Sequence, residues 1–270
     1  MTAFLNHFAF EFKTGLRDST LLLMNYIFPL AFYAMMGLVM TEINPMFADT
    51  MIPGMVVFAT LASALLGLPG PLVESREAGI FRSFKINGVP AASILMMPAL
   101  TTIFHVLIVS TIIAVTGAPL FDGVAPERWG YFALVTLQTV FSCAGLGALI
   151  GVVAKDSRAT VLLSQGIFLP AMLIGGVMMP LDILPASVQP FSALLPSTHS
   201  MQAFLALAYG QETLIDPVVA MATLLSSGVI AFALAIYLFN WDSKSDARRG
   251  HPLMGLLALV PYVVAAIVLS

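Results

Sequence analysis

The chain has 270 residues, of which 59% are hydrophobic and 9% charged, with a formal net charge of −3 and a mean hydropathy of +0.98. Soluble globular domains carry about 25% charged residues, so this composition excludes one and points to an all-α polytopic membrane protein. Its single cysteine, Cys143, excludes an intrachain disulfide and any zinc-type cysteine spacing. No basic segment precedes a short apolar core at the N-terminus, so no cleavable signal peptide is expected.

In chain order, residues 1–18 come first. Phe4, Phe8 and Phe12 recur every fourth residue, with Lys13 and Arg17 on the other side. That pattern suits an amphipathic helix lying in the membrane interface, the alternative being an extension of the first span. Apolar runs near the ~20 residues that cross a bilayer then predict six transmembrane helices, at about 20–40, 51–72, 91–117, 130–153, 160–180 and 217–240. A seventh run, Leu253 to Leu269, is shorter but long enough to be a candidate C-terminal span. Pro29, Pro98 and Pro170 fall inside spans, where neighbouring helices tolerate the lost hydrogen bond. Gly145, Gly147 and Gly151 give the fourth span a small-residue face that suits packing within the chain. The whole chain, 1–270, reads as one transmembrane domain.

Between the second and third spans lies the densest charged run, Glu74 to Pro90, with Glu74, Arg76, Glu77, Arg82 and Lys85. Read as one helix, it places Ile80, Phe81 and Phe84 on one side, and Gly88 and Pro90 end it. Two explanations stand side by side: a solvated loop that orients the protein by its charge, or a handle for a cytoplasmic partner. With the N-terminus inside, ten of the Lys and Arg residues fall on the cytoplasmic side and Arg128 alone outside. This split satisfies the positive-inside rule and puts 74–90 in the cytoplasm. The outer segment 181–216 has three prolines (Pro185, Pro190, Pro196), many apolar residues and no Lys or Arg. Too broken to span, it is expected to form short re-entrant helices packed on the bundle.

Catalytic motifs are absent. No lysine follows a glycine, so there is no phosphate loop, and neither Gly-x-Ser-x-Gly nor His-Glu-x-x-His occurs. His105, in the third span, is the one mid-span histidine, and no carboxylate lies within a span to partner it. A proton- or sodium-driven transporter usually needs such carboxylates. No catalytic residue and no metal site are therefore expected. A secondary transporter, or an intramembrane enzyme using His105, is the alternative that these residues leave open.

Several stretches together resemble the membrane subunit of an ABC-2-type exporter, of the drug and antibiotic resistance kind. They are Arg17-Asp18 running into Phe28-Pro29-Leu30, the Glu74–Arg82 stretch Glu-Ser-Arg-Glu-Ala-Gly-Ile-Phe-Arg, and Lys155-Asp156 after the fourth span. The outer segment from Met179-Pro180-Leu181 to Pro196-Ser197-Thr198 also fits, as does the terminating Phe239-Asn240-Trp241-Asp242. The likeness covers roughly residues 1–245. It implies that 74–90 is a coupling helix docking on a separate ABC ATP-binding subunit through Glu74, Arg76, Glu77, Gly79, Arg82 and Lys85. It also implies that a second permease subunit, identical or different, pairs with this one along the first, second and fifth spans. Phe32, Met36, Phe58 and Phe168 would then line a path for outward movement of a lipophilic or amphipathic solute: a drug, an antibiotic or a lipid-like molecule. This chain would hold no cofactor, ATP and Mg being bound by the partner, and it would touch lipid and no nucleic acid. The expected location is the cell inner (plasma) membrane, multi-pass, with the N-terminus cytoplasmic. One departure stands out, because family members commonly end soon after the sixth span whereas this chain adds the seventh run.

Overall fold

A computed structural model describes residues 12–13, 19–44, 47–242 and 250–269; the described residues form helices and connections, with no strand. The interfacial helix expected over 1–18 lies outside them except for Phe12 and Lys13. Six helices are long and apolar enough to cross a membrane: Ser19–Ile43, Phe47–Glu77, Ala91–Phe121, Trp129–Val153, Ser157–Ile174 and Pro217–Leu238. They fall where the apolar runs predict. The second continues without a break into the charged stretch, and the fifth stops at Ile174. Gly175 and Gly176 follow it, and Gly176 takes a left-handed φ of +82° that an α-helix cannot continue.

The second span is the axis of the bundle. Buried residues make up 94% of its apolar window, against 28% for the first and the fifth, which therefore form the perimeter. The fourth span packs on it at a distance that only glycine allows. A Cβ at Gly147 would fall on the Ala64 carbonyl oxygen, and one at Gly151 would meet Leu72 at 3.0 Å. On the same helix a Cβ at Gly145 would lie 2.9 Å from the carbonyl of Gly228 in the sixth span. The small-residue face thus binds three helices of one chain together.

Prolines shape the first two spans. A proline has no N–H to donate, and its ring crowds the carbonyl four residues back. Ahead of Pro29 the chain widens into a π turn, Leu23–Ile27, and ahead of Pro69 into another, Ala62–Gly67. The wide turns are closed by Phe28 N–H to the Leu23 carbonyl and Leu68 N–H to the Ser63 carbonyl. The two π turns face each other, and Ser63 Oγ donates to the Met24 carbonyl at 3.4 Å.

The bundle has a basic end (Arg76, Arg82, Lys85, Lys155, Arg158) and an acidic end (Asp49, Asp122, Asp182, Glu212, Asp216). At the acidic end, the segment after the fifth span folds into short helices, Gln189–Ser192 and Pro196–Ala203, and a π turn, Phe204–Ala208. Its Ser-Thr-His-Ser run is fully buried and bonded inward. Ser197 Oγ donates to the Ala171 carbonyl (3.0 Å), Thr198 Oγ1 to the Ser192 carbonyl (2.6 Å), and Thr139 Oγ1 in the fourth span donates to Ser200 Oγ (3.1 Å). Burial lowers the pKa of His199 below the usual histidine value, outweighing its bond to the Ala193 carbonyl.

The seventh apolar run is built into the bundle. It is a 3-10 helix, Pro252–Leu259, continued by an α-helix, Val260–Leu269. Because a 3-10 helix rises ~2.0 Å per residue against ~1.5 Å, the segment reaches roughly 30 Å, the thickness of the hydrocarbon core. Tyr262 is wholly buried and shares a hydrogen bond with Ser142 of the fourth span at 3.2 Å. Ser227 of the sixth span donates to the Ala258 carbonyl at 2.9 Å. Gly250 and Pro252 lie beside Arg76 and Lys155, while Ala266 lies beside Gln189 and Leu214, so the segment runs from the basic end to the acidic end.

This packing makes two predictions. In a Cys143→Ala background, Val268→Cys should react with a membrane-impermeant thiol reagent from the same side as Ser187→Cys and from the side opposite Ser83→Cys; reaction from the Ser83→Cys side would show the segment folding back. Gly147→Ala should destabilise the purified chain by about 1–3 kcal/mol through overpacking, read as a lowered melting temperature. Gly166→Ala, where nothing stands within 4 Å of the new carbon, should leave it unchanged.

Candidate functional site

The charged stretch forms a helical hairpin at the basic end, not the single helix the sequence suggests. Its first arm is the end of the second span, Pro69–Glu77, and its second is Ile80–Ile86. Gly79 stands between them at φ +74°, a conformation that costs other residues energy and that stops the helix after Glu77. The second arm ends in a Schellman turn: Gly88 N–H bonds the Lys85 carbonyl (3.1 Å) and Val89 N–H the Phe84 carbonyl (3.0 Å).

The six residues that the resemblance assigns to coupling divide in two. Glu74, Glu77, Arg82 and Lys85 are exposed and Gly79 half-buried, whereas Arg76 is 6% exposed and points into the protein. Its guanidinium donates to the carbonyls of Gly151 (3.2 Å), Val152 (2.9 Å) and Ala154. These belong to the last turn of the fourth span, whose final four carbonyls have no partner within the helix. A cation there also matches the negative end of the helix dipole. Arg76 therefore fastens the hairpin to the fourth span. Immediately beyond, Asp156 caps the fifth span by accepting from Ala159 N–H at 2.8 Å.

The second arm is fastened to the end of the sixth span. Phe81 is buried against Phe239, ring centroids 5.3 Å apart, and Arg82 Nη2 donates to Asp242 Oδ1 at 2.7 Å. In the sequence, Phe239-Asn240-Trp241-Asp242 stands out only as a terminating motif. The complementary charge of Arg82 and Asp242 is the one signal of their pairing, but 160 residues separate them.

Of the candidate path residues, Phe32, Phe58 and Phe168 come together. Phe58 in the second span stacks on Phe32 of the first (4.0 Å, 22°) and lies 6.0 Å from Phe168 of the fifth, with Phe28 at 5.3 Å. Phe58 and Phe168 are buried within the single chain, Phe32 partly so, and Met36 is buried one turn beyond Phe32. At the acidic end, a cavity of about 460 Å³ opens between the start of the second span and the segment that follows the fifth, with Asp49, Asp182 and Glu212 on its wall.

His105 is held by packing. Its Nδ1 shares a hydrogen bond of 2.6 Å with the Tyr26 hydroxyl, and Phe12 stacks on its ring at 4.8 Å. Among the described residues, no three His, Cys, Asp or Glu side chains gather as a metal site would require.

The geometry is thus a helical bundle with a charged hairpin pinned to the ends of its fourth and sixth spans. The sequence profile described as ABC-2 type transporter matches residues 2–209. No curated protein and no solved structure matches the chain. With more than half of its length matched, the chain belongs to the ABC-2 type transporter family.

Proposed function

We propose that this chain is the permease subunit of an ATP-driven exporter, moving a lipophilic or amphipathic solute outwards. The observation that carries the reading is the hairpin at the basic end. It exposes Glu74, Glu77 and Lys85 while Arg76 anchors it to the fourth span and Arg82 to the end of the sixth. A loop that merely orients the protein needs no such anchoring. In this reading the basic end is cytoplasmic, with the N-terminus, and a separate ATP-binding subunit grips the exposed side of the hairpin. That subunit brings ATP and Mg, and this chain supplies no catalytic group.

A second permease copy completes the path. The first and fifth spans show lines of exposed apolar residues (Met35, Leu38 and Val39; Leu162, Leu169 and Leu173) that suit a helical partner. The rings at Phe32, Phe58 and Phe168 stand just behind these faces and form the wall of the path when the copies separate. The short helices at the acidic end dip into the outer leaflet and close its exit. The setting is the plasma membrane.

The test is charge reversal of Glu77 and Arg82 together. The double variant Glu77→Lys/Arg82→Glu should insert normally but lose most of its transport per ATP hydrolysed by the co-purified complex. Asp242→Asn weakens the exposed ion pair with Arg82, worth about 0–1 kcal/mol, while Phe81 still packs on Phe239, and should transport nearly as the wild type does. Unimpaired transport in the double variant would refute the coupling role.

A further inference from the structure

Beside the hairpin lies a second cavity, of about 430 Å³, a size suited to a small organic ligand. The first, second and third spans form its walls and the second arm of the hairpin its floor. Ile94, Met97, Phe81 and Phe84 make the sides apolar. Its lining has one charge, Glu74, which is exposed, and no Lys or Arg. Asn25 also lines it, only 4% exposed, on the π turn of the first span. The carboxamide oxygen of Asn25 has no hydrogen-bond partner. An unpaired buried polar group costs about 1–3 kcal/mol, and His105 on the same cavity wall is bonded, to the Tyr26 hydroxyl. The two π turns explain how the chain brings an asparagine here, but they leave its carboxamide oxygen without a donor.

We propose that this cavity binds a compact lipophilic amine carrying a hydroxyl group, with its ammonium at Glu74, its apolar body against Phe81, Phe84 and Met97, and its hydroxyl on the Asn25 carboxamide. A hydroxyl supplies the donor that the unpaired carboxamide oxygen lacks. An anionic ligand is disfavoured, because the only charge it meets is Glu74. Such a ligand rests on the floor formed by Phe81 and Phe84, so its presence bears on the same helix that is fastened to Phe239 and Asp242. The site is separate from the aromatic path at Phe58, and its existence does not depend on the exporter reading.

Binding is measured on the full chain alone, in phosphatidylcholine nanodiscs without an ATP-binding subunit, so that failure here and failure of the exporter reading remain distinguishable. The probes are tritiated para-(aminoalkyl)phenols of graded chain length. Their analogues lacking the hydroxyl, and those acetylated on the amine, serve as competitors. Saturable binding is expected at one spacer length. Asn25→Leu should weaken the phenol about tenfold and the analogue without hydroxyl hardly at all; Glu74→Gln should weaken the free amine several-fold and the acetylated analogue hardly at all. Ala78→Trp, an exposed substitution at the cavity mouth, should block binding without entering the bundle. Absence of saturable binding, binding that survives Ala78→Trp, or losses equal for all analogues would each overturn the proposal.

Discussion

Everything at the basic end of this protein depends on where the guanidinium of Arg76 goes. A helix that stops inside a membrane protein leaves carbonyls that water cannot reach, and each needs a donor. The fourth span stops at Val153 because the chain must turn within three residues to start the fifth at Ser157. Arg76 reaches in from the second span and supplies donors to three of the carbonyls at that stop. Hydrogen bonds from a charged donor are worth about 1.5–3 kcal/mol each, so a lone arginine fixes the relative position of two spans. With the second span as the axis of the bundle, these bonds tie the first arm of the hairpin to the end of the fourth span.

The close approach of those same spans makes this possible. Glycine at 147 and 151 lets the fourth span lie against the second at backbone distance, bringing the end of one within a side chain's length of the other. The prolines act in the opposite sense. Pro29 and Pro69 open the first two spans into wide turns, producing the irregular wall that holds Asn25 and the cavity beside the hairpin. The second span is thus approached at glycine distance by the fourth span, while its proline-widened turn borders the cavity beside the hairpin.

Much of this is legible in the sequence. The six spans are plain as apolar runs, since burial in lipid demands about 20 such residues and little else does. Less visible is the break at Gly79. Glu-Ala-Gly-Ile reads equally as a helix interior or a helix end, and the backbone decides by where the second arm finds Phe239. That Arg76 turns inward is not legible at all, because its partners are backbone carbonyls some 75 residues away, and carbonyls leave no mark in a sequence. The seventh run looks short only if an α-helical rise is assumed; the 3-10 turns of Pro252–Leu259 lengthen it. Phe32, Phe58 and Phe168 are singled out only through the resemblance; that their rings meet, with Phe28 beside them, is visible in the structure alone.

The central claim is that the hairpin and the fourth span move as one body, so that a push on the hairpin is delivered to the bundle. It is tested most directly by spin labels at Ser83→Cys and Lys155→Cys in a Cys143→Ala background, with the intrachain distance measured by pulsed electron resonance in the chain assembled with the ATP-binding subunit proposed above. The account predicts one narrow distance, the same without nucleotide and with ATP trapped, which broadens when Arg76 is replaced by methionine. A distance in the wild-type chain that shifts between the two nucleotide states would contradict it.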